Sequence, residues 1–62
     1  MDYIDTINGY AIYKFSRTAC ALNGYCYPSY GAFLNTENGV RPGHEECSTE
    51  TFEELAEWCE KN

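Results

Sequence analysis

The stretch from Ser48 to Asn62 constrains the fold most. On a helical wheel of about 100° per residue, Phe52, Leu55, Ala56 and Cys59 share one side at i, i+3, i+4, i+7 spacing. Glu50, Glu53, Glu54, Glu57 and Glu60 fall on the opposite side, and Trp58 sits on the border. The pattern predicts a helix over about 49–61, capped by Thr49 or Thr51. Thr51 has Glu54 three residues on, which is capping-box spacing. Glu50, Glu53 and Glu54 complement the positive end of the helix dipole, and Lys61 the negative end. A helix with one apolar stripe needs a surface to lie on. The preceding residues must supply it.

They read as strands. Residues 2–16 form a β-hairpin around Asn8-Gly9, the preferred dipeptide of a type I′ turn, where both positions need positive φ. Pairing Ile7 with Tyr10 sets a register in which Asp5 meets Ile12 and Ile4 meets Tyr13. Tyr3, Ile7, Tyr10 and Ile12 then share one face, and Ile4, Ala11, Tyr13 and Phe15 the other; both faces are substantially apolar. Residues 17–29 are a connection, with a helical turn at Thr18 to Leu22 stopped by Asn23-Gly24. Residues 30–47 hold further strands. Tyr30 to Asn35 is one, with Tyr30, Ala32 and Leu34 on one side and Phe33 on the other. Thr36-Glu37-Asn38-Gly39 is a turn with Gly39 left-handed. Val40 to Glu46 returns as a last strand, whose Arg41-Pro42-Gly43 implies an edge position or a bulge. The expected fold is α+β: a small antiparallel sheet of three to four strands packed by one C-terminal amphipathic helix.

With 62 residues the chain is a single domain, 1–62, near the lower limit for folding without a disulfide, a metal or self-association. The charge is lopsided. Residues 1–31 sum to zero, whereas residues 32–62 carry eight Glu against Arg41 and Lys61, which gives the whole net charge of −6. That repels nucleic acid and anionic lipid and favours basic partners. No run reaches the roughly 20 apolar residues of a membrane span, and the N-terminal residues lack the pattern of an export signal. A cytoplasmic location with reduced thiols is therefore expected for Cys20, Cys26, Cys47 and Cys59. A helix running from residue 48 would hold Cys47 and Cys59 about 18 Å apart, beyond disulfide reach. Any bridge would then have to use Cys20 or Cys26.

Three chemistries fit poorly. Cys20-x5-Cys26 with His44-x2-Cys47 offers zinc ligands, but the first spacing is too wide for a tight knuckle, so neither metal nor cofactor is expected. His44 beside Glu45 and near Cys47 suggests a thiol–imidazole pair, yet nothing in the sequence suggests a pocket or an oxyanion site. No catalytic residues are assigned. Six tyrosines could stack on bases, but four basic residues against ten acidic ones leave the phosphates uncompensated.

Protein binding remains. The candidate partner-binding residues are Glu50, Glu53, Glu54, Glu57, Glu60 and Trp58 on the helix, with Tyr3 and Tyr10 on the hairpin. A carboxylate row about 10 Å long is comparable in scale to a stretch of DNA phosphates and could occupy a basic groove. In size, acidity and lack of catalytic residues the chain resembles small phage-encoded inhibitors, anti-CRISPR proteins and DNA mimics among them. It is a likeness of type, without a shared motif. The expectation is a non-enzymatic binding protein engaging a basic surface of a nucleic-acid-handling partner. The alternatives are a structural protein self-associating through its Tyr-rich sheet, possible as a homodimer, and a secreted disulfide-stabilised domain.

Overall fold

The computed structural model describes residues 2–15, 29–34, 36–37, 39–41 and 43–62. The connection expected over 17–29 lies outside them except for Ser29, and so do Cys20 and Cys26. The elements are β1 (Asp2–Ile7), β2 (Tyr10–Lys14), β3 (Tyr30–Phe33), β4 (Cys47–Thr49) and α1 (Phe52–Lys61). The strands form one antiparallel sheet in the order β1-β2-β3-β4, with the helix packed on one face. This is the expected α+β architecture.

The hairpin turns where its dipeptide requires. Asn8 and Gly9 both have positive φ, 52° and 86°, and Ile7 pairs with Tyr10 and Asp5 with Ile12. Beyond Asp5 the simple register fails. A bulge between Tyr3 and Asp5 makes Tyr3, not Ile4, the partner of Tyr13, and sets Asp2 opposite Lys14. Because side chains alternate across a strand, one extra residue moves everything beyond it to the other face. Tyr3 therefore leaves the face of Ile7, Tyr10 and Ile12. It meets Tyr13 edge-to-face at 5.6 Å, and the shift also places opposite charges across the strand end.

The helix covers the face of Ile7, Tyr10 and Ile12. Ile12, Ala32, Leu55 and Cys59 are fully buried together, with Ile7, Tyr10, Tyr30, Cys47, Phe52 and Trp58 packed around them. Ile12, Ala32 and Cys47 form a row across β2, β3 and β4, since Ile12 pairs with Ala32 and Ala32 with Cys47. On the other face Phe15 and Phe33 make a second cluster with Tyr13 and Val40. Gly31 is required there by close approach. A Cβ at this position would lie 2.6 Å from Phe15 Cζ and 3.2 Å from Glu45 Cβ.

The last strand differs from expectation. It is Cys47–Thr49, not Val40 to Glu46. Gly39 and Gly43 adopt φ of +91° and +97°, Gly39 N donates to Thr36 O, and His44 N donates to Arg41 O. These two turns, closed at Gly39 and at His44, stand where the strand was expected. Pairing resumes only where Glu46 N donates to Ala32 O at 2.8 Å. β4 is nevertheless an edge strand. The helix correspondingly begins at Phe52, not at residue 49, because Ser48 and Thr49 are paired with Gly31 and Tyr30. Cys47 therefore lies in β4, outside the helix, and the 18 Å helical separation from Cys59 does not apply. The chain reverses between β4 and α1, and both cysteines belong to the helix-side core.

Candidate functional site

The acidic face is set by what lies beneath it. Leu55 and Cys59 have no exposed surface, which fixes the rotation of α1 about its axis. Glu53, Glu54, Glu57 and Glu60 are then exposed along its outer side, and Glu50 is exposed just before it. Ala56 and Trp58 are half-buried at the margins. Thr51 is the N-cap. Its hydroxyl accepts from Glu54 N at 3.3 Å and donates to Glu54 Oε1 at 2.9 Å. The Glu54 carboxylate thus takes the cap's hydroxyl proton, whereas in a full capping box it would reach the cap's backbone N–H.

Glu57 is the one acid of the stripe with an ion pair among the described residues: Lys61 Nζ lies 3.0 Å from Glu57 Oε1, one turn away. Both side chains are about two-thirds exposed, and such pairs contribute about 0.3–0.5 kcal/mol. The pair leaves the outward charge of Glu53 and Glu60 untouched.

Beside the stripe lies a shallow, open depression of about 310 Å³ lined by Glu54, Glu57, Trp58, Lys61 and Asn62. Tyr10 supports Trp58 from the sheet, with ring centroids 5.1 Å apart and planes at 64°. The helix end is tied to the hairpin. Asn8 Nδ2 donates to Cys59 O at 3.0 Å, Asn62 N donates to the same carbonyl at 3.3 Å, and Asn62 Nδ2 donates to Trp58 O at 2.8 Å. These bonds satisfy carbonyls that a helix C-terminus leaves without intrahelical partners. The role of Asn8 as a tether is not legible in the sequence, where turn chemistry alone accounts for it.

Of the candidate residues, the five glutamates, Trp58 and Tyr10 are thus grouped on the helix or beside it. Tyr3 is not with them. It stands on the opposite sheet face, 56% exposed, and Ile4 and Leu34 are also exposed large apolar residues. His44 is exposed in the loop before β4, while Cys47 is half-buried against the helix-side core. Among the described residues no group of three or more His, Cys, Asp or Glu is arranged to hold a metal.

Cys47 and Cys59 are free thiols. Burial pushes the Cys47 thiol up, the Ser48 backbone hydrogen bond opposes this, and Glu45 adds to the rise. Burial also raises Cys59, and the charge of Cys47 raises it further. Among the described residues no helix is long and apolar enough to cross a membrane. Comparison with family models, curated proteins and solved structures finds no match to this chain.

Proposed function

We propose that this chain is a non-enzymatic cytoplasmic binding protein whose acidic helix face engages a basic surface on a nucleic-acid-handling protein, in the manner of a DNA-mimicking inhibitor. One observation carries the reading. Glu53, Glu57 and Glu60 are exposed along a helix whose setting is locked by the fully buried Leu55 and Cys59. A preset row of carboxylates loses little freedom on binding, and it presents charge that steers a basic partner. Trp58, backed by Tyr10, supplies an aromatic contact at its flank.

The test is charge reversal. Changing Glu53, Glu57 and Glu60 to Lys moves the net charge from −6 to 0, since each change adds two. The variant keeps every buried residue, so its circular dichroism and melting temperature should stay close to those of the parent chain. Capture of a basic partner, and its displacement by duplex DNA, should be lost along with the salt dependence of binding. Equal binding by the reversed variant would leave the stripe as a solvated face only.

A second reading has its own observation: Tyr3, Ile4 and Leu34 are exposed large apolar residues, with Tyr3 on the face away from the helix. Self-association through that face predicts an oligomer that Tyr3→Ala, and not the glutamate reversal, converts to monomer in light scattering.

A further inference from the structure

Two of the four cysteines converge on one patch of core. Cys47 lies opposite Ala32 in the sheet, and Ala32 is packed with Leu55 and Cys59 of the helix above. Cys47 packs against the same cluster, and ionising it would push the Cys59 thiol up. From this juxtaposition we infer that Cys47 and Cys59 are a disulfide-forming pair, a covalent modification site that staples the edge strand β4 to α1.

The chemistry is thiol–disulfide exchange with a small-molecule disulfide such as glutathione disulfide. Cys47 is half-buried and Cys59 fully buried, so the oxidant reaches Cys47 first. The Cys47 thiolate attacks one sulfur of glutathione disulfide, the S–S bond breaks, and one glutathione leaves as its thiolate. The Cys59 thiolate then attacks the Cys47 sulfur of the mixed disulfide and displaces the second glutathione. Two protein thiols are oxidised to one bridge, one external disulfide is reduced to two thiols, and the two protein protons pass through solvent to the departing glutathiones. Both protein thiols are held up by burial, which keeps thiolate scarce near neutral pH and makes the exchange slow there. The bridge would close residues 47–59 into a loop, restricting the unfolded chain across the reversal between β4 and the helix. Cys47 and Cys59 need neither Cys20 nor Cys26 for this.

The experiment equilibrates the intact chain with glutathione disulfide at mildly alkaline pH, traps free thiols with N-ethylmaleimide during unfolding, and cleaves after glutamate. Cleavage at Glu46 and Glu50 releases Cys47 within residues 47–50, and cleavage at Glu57 and Glu60 releases Cys59 within residues 58–60. The expected product is these two fragments joined by one bridge. The oxidised chain should melt about 10–20 °C higher than the reduced one and return on adding reductant. A Cys20→Ser, Cys26→Ser double variant should give the same joined fragments. If that variant does not fold, the fragment map of the parent chain decides alone. Finding Cys47 or Cys59 alkylated, carrying glutathione, or joined to Cys20 or Cys26 in the folded protein would overturn the inference.

Discussion

Substituting Gly31 by Ala tests the face of the sheet that the helix does not cover. The added methyl carbon would sit 2.6 Å from Phe15 Cζ, 3.1 Å from Phe15 Cε1 and 3.2 Å from Glu45 Cβ. Ordinary carbon–carbon contact is about 3.5–4.0 Å, so the Phe15 ring must retreat by about 1 Å. It has little room to do so. Phe15 is 6% exposed, its ring lies 6.2 Å from that of Phe33, and its backbone N donates to Ser29 O at 2.8 Å. Overpacking of this kind costs about 1–3 kcal/mol. For a domain of this size each kcal/mol is worth about 4–8 °C in Tm, so the variant should lose about 5–20 °C. Urea unfolding of Gly31→Ala, Phe15→Leu and the double variant separates the clash from lost β-sheet contacts. Phe15→Leu shortens the side chain facing Gly31, so the double variant should be more stable than the two single losses predict by about 1 kcal/mol. Additive losses would refute the argument, because they would mean that the methyl group and the ring do not compete for space.

Leu55→Ala should cost about 2–5 kcal/mol, since Leu55 is fully buried over Ile12 and Ala32; with total stability of about 3–9 kcal/mol for such a length, thermal unfolding should show a chain at or near loss of fold. A Tm within a few degrees of the parent would refute the packing. Thr51→Ala removes both the acceptor for Glu54 N and the donor to its carboxylate. It should cost about 1 kcal/mol in urea denaturation, while Thr49→Ala, which removes only a hydroxyl bond to Thr51 O, should cost less. Equal losses would show that Thr51 is not the operative cap.

The parts of the fold legible in the sequence are those where one local rule acts alone. Asn8-Gly9 demands positive φ at both positions, and no tertiary contact opposes it. The Phe52–Cys59 stripe sets the buried side of the helix, and Leu55 and Cys59 are indeed buried; of the two caps the sequence allows, Thr49 and Thr51, the structure uses Thr51. The alternation of Tyr30, Ala32 and Phe33 likewise separates Ala32 from Phe33, as found. It does not say which side meets the helix, and Leu34, expected beside Ala32, lies past the end of β3 and is exposed. The acidic stripe follows from the same wheel. Its anchoring does not, because the bond from Asn8 to Cys59 O joins residues far apart in sequence.

Where two signals compete, the sequence misleads, and both failures have one physical form. Simple alternation back from the turn puts Tyr3 beside Ile7. That arrangement would set Tyr3 against Lys14 and Ile4 against Tyr13. One inserted residue instead gives Tyr3–Tyr13 and Asp2–Lys14 pairs, an aromatic contact and an opposite-charge pair that pattern matching cannot weigh. At the other edge, apolar Val40 invites a strand immediately after the turn. Its side chain is used on the second core cluster, and two left-handed glycines turn the backbone away from extended pairing until Glu46. Moving the strand to Cys47–Thr49 shortens the segment left for the helix and inserts a reversal at Glu50 and Thr51. That reversal brings Cys47 beneath the helix that carries Cys59. A boundary error of a few residues thus changes which thiols can meet. From Glu53 to Glu60 the glutamate stripe tolerates the same error, because its spacing depends on the helix period and not on where the helix begins; only Glu50 is lost from it, since it now precedes the Thr51 cap.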